Sequence, residues 1–282
     1  MGLDIIIKKA NGERESFNPE KLKNSLELAG ASEKDTENVL GKVEEILHHD
    51  ITTRKIYRKA FSELKKMRRS AAISYSLNEA VKELGPTGFP FERFVARVFS
   101  RLGYQTEVGL IMKGMCIEHE IDFLARHESH IFIAEAKFHN EHGIKSGLQT
   151  ALYVKARFDD LWESPYLSKE EKPHSAWLIT NTKFTESALK YGECAGMTMI
   201  SWTYPKKGHL QDLIEESKLH PLTAISSLNK REKTHLLKKN LVLCRELIEK
   251  PEELRSCGIN EEKMNKVLAE AEIIIRSNSG QK

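Results

Sequence analysis

The chain has 282 residues, 40% of them hydrophobic, which is enough apolar material for two ordinary packed domains or one large one, and too much for a disordered chain. Its formal net charge of +3 is small and uneven, with a slightly acidic middle between basic ends, so overall charge does not by itself mark a polyanion-binding protein. Cys116, Cys194, Cys244 and Cys257 show no CxxC spacing, which argues against a disulfide framework or a cysteine zinc site. No apolar run is long enough to span a bilayer, and the N-terminal stretch "MGLDIIIKKANG" is unlike a signal peptide, so a cytoplasmic protein without membrane contact is expected.

In chain order, Ile5–Lys9 predicts a short strand and Asn11-Gly12 a hairpin turn into a second extended piece. Asn18-Pro19 predicts a helix start, with an asparagine cap and proline in the first helical position. Three or four helices follow, to about Leu84. Within them, "RKIYRKAFSELKKMRR" (Arg54–Arg69) carries eight basic residues against one acidic, while Ile56, Ala60, Phe61 and Leu64 fall on one helical face. That spacing predicts an amphipathic helix whose basic side is mainly solvated.

The segments "IIIKKANGERESFNPEKLKNSL", "DITTRKIYRKAF" and "AAISYSLNEAV" together resemble the ATP-cone, a small regulatory nucleotide-binding domain. The resemblance implies that residues 1–84 form a mainly helical domain that binds ATP or dATP without a Walker A loop. By position it implies phosphate contacts from Lys9, Lys21, Thr52 or Thr53, and Arg54.

"GPTGFP" (Gly85–Pro90) is the clearest boundary signal in the chain. After it, Phe91, Phe94, Val95, Val98, Phe99 and Leu102 recur at helical spacing, with Gly103 as the stop. Strands are predicted at about Gln105–Leu110, Glu118–Ala125 and His130–Phe138. A helix from Gly143 to Trp162, the strand "AWLIT", the helix "TESALKYGECAG" and the strand "MTMISW" complete an α-β-β-β-α-β-α-β order. From Pro205 onward the pattern is helical only, so 205–282 is expected to be an accessory helical region.

The hairpin "EIDFLARHESHIFIAEAKFHNEHG" sets ionisable groups among apolar strand residues. Alternation puts Glu135 and Lys137 on one face and Ala134 and Ala136 on the other. A tight turn at Glu128-Ser129 makes residues whose numbers sum to 257 opposite, pairing Asp122 with Glu135 and Glu120 with Lys137. Opposed carboxylates in a half-buried sheet repel unless a cation lies between them, and a hard divalent ion is the natural one. Lys137 is then placed to orient a water or offset charge on a phosphate.

Glu92, Asp122, Glu135-Ala136-Lys137, the helix carrying Gln149 and Tyr153, and "WLITNTKFTESALKYGECAGMTMISW" together resemble the Mrr-like restriction endonuclease family over about Gly88 to Trp202. The family pattern departs here in having Ile121 rather than proline before Asp122. The resemblance implies a PD-(D/E)xK nuclease core over 88–204, a mixed α/β sheet flanked by helices. It implies Asp122 and Glu135 as ligands of Mg²⁺ or Mn²⁺, Lys137 as the catalytic lysine, Glu92 as an auxiliary acid, and Gln149 with Tyr153 as the helix motif. The expected activity is metal-dependent cleavage of DNA under ATP or dATP control, with a homo-oligomer as a possible assembly. The alternative is a nucleotide-responsive DNA-binding or repressor-like protein without catalysis. His119, His127, His130, His139 and His142 lie on mixed faces of the hairpin, an arrangement unsuited to zinc, and Lys183 at a strand end reads as a solvated loop lysine, with a phosphate contact as the alternative.

Overall fold

A computed structural model of the chain describes residues 5–9, 12–141 and 143–277. The chain divides into two compact units, Met1–Glu79 with Ile273–Lys282, and Ala80–Glu272.

The first unit begins with β1 (Ile6–Lys8) and β2 (Arg14–Ser16), followed by α1 (Pro19–Leu28), α2 (Glu33–Glu44), β3 (Ile51–Thr52), α3 (Thr53–Met67) and the start of α4 (Arg69–Lys82). Asn11 of the expected turn lies outside the described residues, but the strands on either side pair antiparallel, with Ile7 opposite Glu15. β3 adds in parallel on the other side of β1, bringing Lys8 opposite Thr52. Asn18 caps α1 by accepting from the Glu20 amide, and Pro19 takes the first helical position as expected. In α3, Ile56, Ala60 and Leu64 are buried and Phe61 is half-buried. On its other side, Lys59 and Lys66 pair with Glu63 at 2.9 and 3.0 Å, while Arg54, Lys55 and Arg58 are exposed. The core joins Ile7 and Ile51 of the sheet to Leu22, Leu26, Val39, Val43 and the α3 stripe.

The second unit contains α5 (Phe89–Arg101), β4 (Gln105–Lys113), β5 (Glu118–His127), β6 (His130–Lys137), β7 (Lys145–Ser146) and α6 (Leu148–Trp162). It continues through β8 (Ser175–Thr180), β9 (Lys183–Phe184), α7 (Glu186–Cys194) and β10 (Thr198–Ile200). The main sheet has the order β10-β8-β6-β5-β4. β4, β5 and β6 form an antiparallel meander, and β6, β8 and β10 run parallel, so the sheet is mixed. β6 is its central strand, and its apolar run Ile131–Ala134 is buried throughout, as a strand covered on both faces requires.

Alternation along β8 divides the core in two. Trp177 stacks on Phe132 with ring centroids 4.0 Å apart, and Phe99 of α5 meets both rings edge-on at 5.5 and 5.6 Å. Ala176 and Leu178 pack instead with Ala151 and Val154 of α6 and Ala188 of α7. The helix expected from Gly143 begins only at Leu148. Gly147 is extended (φ −93°, ψ 177°), and the residues before it form the short strand β7, which pairs with β9. A β-branched residue and two glycines in "GIKSG" favour that strand over a first helical turn.

The region from Pro205 is helical: α8 (Leu210–Ser217), a 3₁₀ turn at Leu222–Ala224, α9 (Lys230–Lys238), α10 (Cys244–Glu249), α11 (Glu252–Ser256) and α12 (Glu261–Ser277). Up to Glu272 it belongs to the same compact unit as the sheet. α8 lies against α5 with Leu210 and Ile214 fully buried, Thr223 Oγ1 donates to the Ala80 carbonyl at 2.5 Å, and Lys233 pairs with Glu83 at 2.7 Å. Among the described residues, no helix is long and apolar enough to cross a membrane.

Candidate functional site

The hairpin β5–β6 has the expected register, from His127 opposite His130 to Phe123 opposite Ala134. It stops one residue short of the expected Asp122–Glu135 pair, so the expected Glu120–Lys137 pair is not formed either. The cause is the Asp122 side chain, whose Oδ2 accepts the Ala136 amide at 2.7 Å in place of a ladder bond. On its other side, β4 pairs Val108 with Phe123 and Leu110 with Ile121, leaving Gly109 out of the ladder opposite Asp122. Gly109 has φ +66°, a conformation glycine adopts without steric cost. The sheet therefore opens between β5 and β6 at Asp122, while β4 skips one pair there and continues in register beyond it. β8 holds β6 beyond this point, with Glu135 opposite Leu178 and Lys137 opposite Thr180.

Glu135 Oε2 accepts from Arg157 at 2.7 Å, and both side chains are largely buried, at 15% and 9% exposure. The Arg157 guanidinium also lies over the Tyr153 ring, 4.6 Å from its centroid. Burial, then the charge of Glu135, pushes the Asp122 carboxyl up to about 6, while the Ala136 amide and Arg157 pull against that rise. Glu92 is pushed up to about 7, first by burial and then by Asp122, Glu135 and Glu120. Four carboxylates therefore share one neighbourhood. Glu92 stands in the first turn of α5, and a Cβ on Gly88 would lie 2.7 Å from its Oε1, so the glycine leaves room for this carboxylate.

Lys137 is exposed at the end of β6, and its ammonium makes no hydrogen bond or ion pair among the described residues. Gln149 is exposed in the first turn of α6, and Lys183 is exposed in β9. Tyr153 is tied to Arg157, a residue the sequence reading passed over. Its signal was present: Arg157 falls on the inward stripe of α6 with Ala151, Val154 and Leu161, and a charge on an apolar stripe needs a buried partner.

The backbone just after Lys137 is pinned. His139 N donates to Asn181 Oδ1 at 2.8 Å, Asn181 Nδ2 donates to the His139 carbonyl at 2.7 Å, and the His139 ring meets Ser146 Oγ at 3.0 Å. The other hairpin histidines disperse. His119 bonds Asp160 at 2.8 Å, His130 stacks on His174, His127 lies against Tyr104, and His142 is outside the described residues.

In the first unit, Lys9 and Lys21 converge on a residue the sequence reading did not single out. Glu15 Oε2 lies 3.0 Å from Lys9 Nζ and 3.1 Å from Lys21 Nζ, and these two cations hold its carboxyl below the usual range. Thr52 caps α3 by accepting from the Lys55 amide, and Arg54 is exposed in the first turn of that helix. Lys9 therefore follows the β1 residue paired with Thr52, at the end of the sheet where α3 begins.

Among the described residues, no group of three or more His, Cys, Asp or Glu is arranged to hold a metal ion. Asp122 Oδ1 and Glu135 Oε1, however, accept no hydrogen bond there. Two hard carboxylate oxygens of like charge suit Mg²⁺, which takes one or two protein carboxylates and completes its shell with water and phosphate oxygens.

A family model described as AF1548-like, C-terminal, matches residues 220–275. An "Uncharacterized protein" of Archaeoglobus fulgidus is 35% identical over 182 residues, which is 64% of this chain and 99% of that protein. A crystal structure described as "Protein of Unknown Function AF1548" aligns with a TM-score of 0.56 at 33% identity, covering 67% of this chain and 98% of the other. With nearly the whole of that relative matched at this identity, the chain belongs to the AF1548-like family.

Proposed function

We propose that the second unit is a Mg²⁺-dependent DNA endonuclease on a restriction-endonuclease-like core. The observation that carries this reading is the gathering of Glu92, Asp122 and Glu135 where the sheet opens, with Lys137 two residues beyond Glu135. Asp122 and Glu135 are the residues to hold the ion. Bound there, it would polarise a phosphoryl oxygen and acidify a water. Lys137 offsets charge developing on the phosphate. Glu92, titrating near neutrality, is poised to take or hold a proton. Arg157 holds Glu135 through Oε2, leaving Oε1 without a hydrogen-bond partner among the described residues.

Supercoiled plasmid incubated at low salt with Mg²⁺ or Mn²⁺ should be nicked or linearised, and chelation should stop it. Binding without cleavage under either ion would leave the second reading, a DNA-binding platform without catalysis. One observation favours that alternative: Arg157 already supplies Glu135 with a cation.

We further propose that the first unit binds ATP or dATP through Lys9, Lys21, Thr52 and Arg54. Glu15 holds the place a phosphate would take between the two lysines, so a nucleotide must displace its carboxylate. Lys9→Ala with Lys21→Ala should abolish nucleotide binding in calorimetry, whereas Glu15→Gln should tighten it by about tenfold, the effect of removing two competing exposed ion pairs. Weaker binding after Glu15→Gln would show that Glu15 builds the site rather than occupying it.

A further inference from the structure

Along α9 the charged side chains divide by face. Lys233 reaches Glu83 and the Thr223 carbonyl at 2.7 and 2.6 Å, Glu232 takes Lys263 at 2.7 Å, and Leu236 and Leu237 are buried. On the other face, Lys230, Arg231, Thr234, His235 and Lys238 line an open groove of about 490 Å³. Lys230, Arg231 and Lys238 are exposed, and neither they nor His235 form an ion pair among the described residues. Neighbouring cations do find carboxylates: Lys239 pairs with Glu253 and Arg255 with Glu261. The groove therefore gathers four basic side chains on one helix face, none of them in an ion pair among the described residues.

We propose that this face of α9 grips the phosphate backbone of duplex DNA without reading its sequence. Lys230 to Lys238 spans about 12 Å of helix at 1.5 Å per residue, the rise of three to four phosphates along one strand. The lining supplies two ammonium groups, a guanidinium, an imidazole and a hydroxyl, and no carboxylate. It also offers no large apolar side chain. An acidic amphipathic peptide or a membrane surface would need such an anchor, whereas a phosphodiester backbone does not. The contact shares its ligand class with the proposed endonuclease and rests on that reading for its occupant, yet it uses none of the carboxylate-site residues.

The test is fluorescence anisotropy of a random-sequence duplex in EDTA, between about 50 and 200 mM salt, where affinity is steeply salt-dependent. The intact protein is compared with a Lys230→Gln, Arg231→Gln, Lys238→Gln triple variant. We expect the variant to bind about 10- to 100-fold more weakly, and the slope of log affinity against log salt to shrink by about 2.7, or 0.9 for each lost phosphate contact. A Lys230→Arg, Lys238→Arg variant should retain the slope, and thermal unfolding should be unchanged in both. Unchanged affinity and slope in the triple variant, or no duplex binding by the intact protein, would overturn the proposal. So would equally tight, equally residue-dependent binding to polyglutamate or to anionic phospholipid vesicles. Because binding is read in EDTA, a protein that shows the slope change but never cleaves refutes the endonuclease alone. Cleavage with an unchanged slope refutes only the α9 contact.

Discussion

Replacing Asp122 or Glu135 should reduce metal-dependent plasmid cleavage by about 100- to 1000-fold, the usual loss when one preorganised electrostatic contact to the reacting group disappears. The choice of replacement matters. Asp122→Ala would strand the buried Ala136 amide that Asp122 Oδ2 accepts, at a cost of about 1–3 kcal/mol, so lost cleavage could reflect a loosened sheet. Asp122→Asn keeps that acceptor and removes the charge, and Glu135→Gln likewise keeps an acceptor for Arg157. Both should stay folded in the absence of metal and still bind duplex, with Asp122→Asn melting no lower than the intact protein. Lys137→Ala should lower turnover without changing folding, because the Lys137 side chain is exposed and bonded to nothing among the described residues. Cleavage by Asp122→Asn or Glu135→Gln at the intact rate would remove the carboxylate pair from the mechanism. A Lys137→Ala protein that lost only affinity would make that lysine a phosphate contact.

What the sequence revealed of this site is what local periodicity governs. The hairpin register follows from turn position and alternation, and it holds at every pair from His127 opposite His130 to Phe123 opposite Ala134. The α5 stripe was likewise readable, because Phe91, Phe94, Val95, Val98 and Phe99 face the core at helical spacing. The features that were missed depend on side chains reaching across elements. The Asp122 bond to the Ala136 amide spans two strands, the Arg157–Glu135 pair joins a helix to a strand, and Glu15 gathers lysines from a strand end and a helix. No local pattern encodes those distances. Gly109 is an intermediate case: a glycine inside a strand pattern signals a local irregularity, but only the register shows that the single unpaired position falls opposite Asp122.

The protonation of the site should be readable in stability before any substrate is added. Glu92 and Asp122 titrate at about 7 and 6 in the folded chain, against ordinary values of 4.5 and 3.8. Between those limits the folded protein holds protons that the unfolded chain has released. These two groups therefore stabilise the fold at pH 4, and that contribution is lost as pH rises through 6 and 7. The full shifts are reduced by solvent screening, which leaves a combined effect of about 2–4 kcal/mol. Two histidines act in the opposite sense. Burial lowers His220 to about 4 and also lowers His139, so the unfolded chain takes up their protons first as pH falls below the ordinary 6.5. The informative quantity is thus the difference between proteins: Glu92→Gln and Asp122→Asn should each gain melting temperature relative to the intact protein at pH 8, and little or none at pH 4. Mg²⁺ should reproduce that gain in the intact protein at pH 8 and lose its effect at pH 5, where protons compete for the same oxygens. In Asp122→Asn the Mg²⁺ effect should vanish at both values. Equal stabilisation by Mg²⁺ at pH 5 and pH 8, or an unchanged Mg²⁺ response in Asp122→Asn, would place the ion away from these carboxylates.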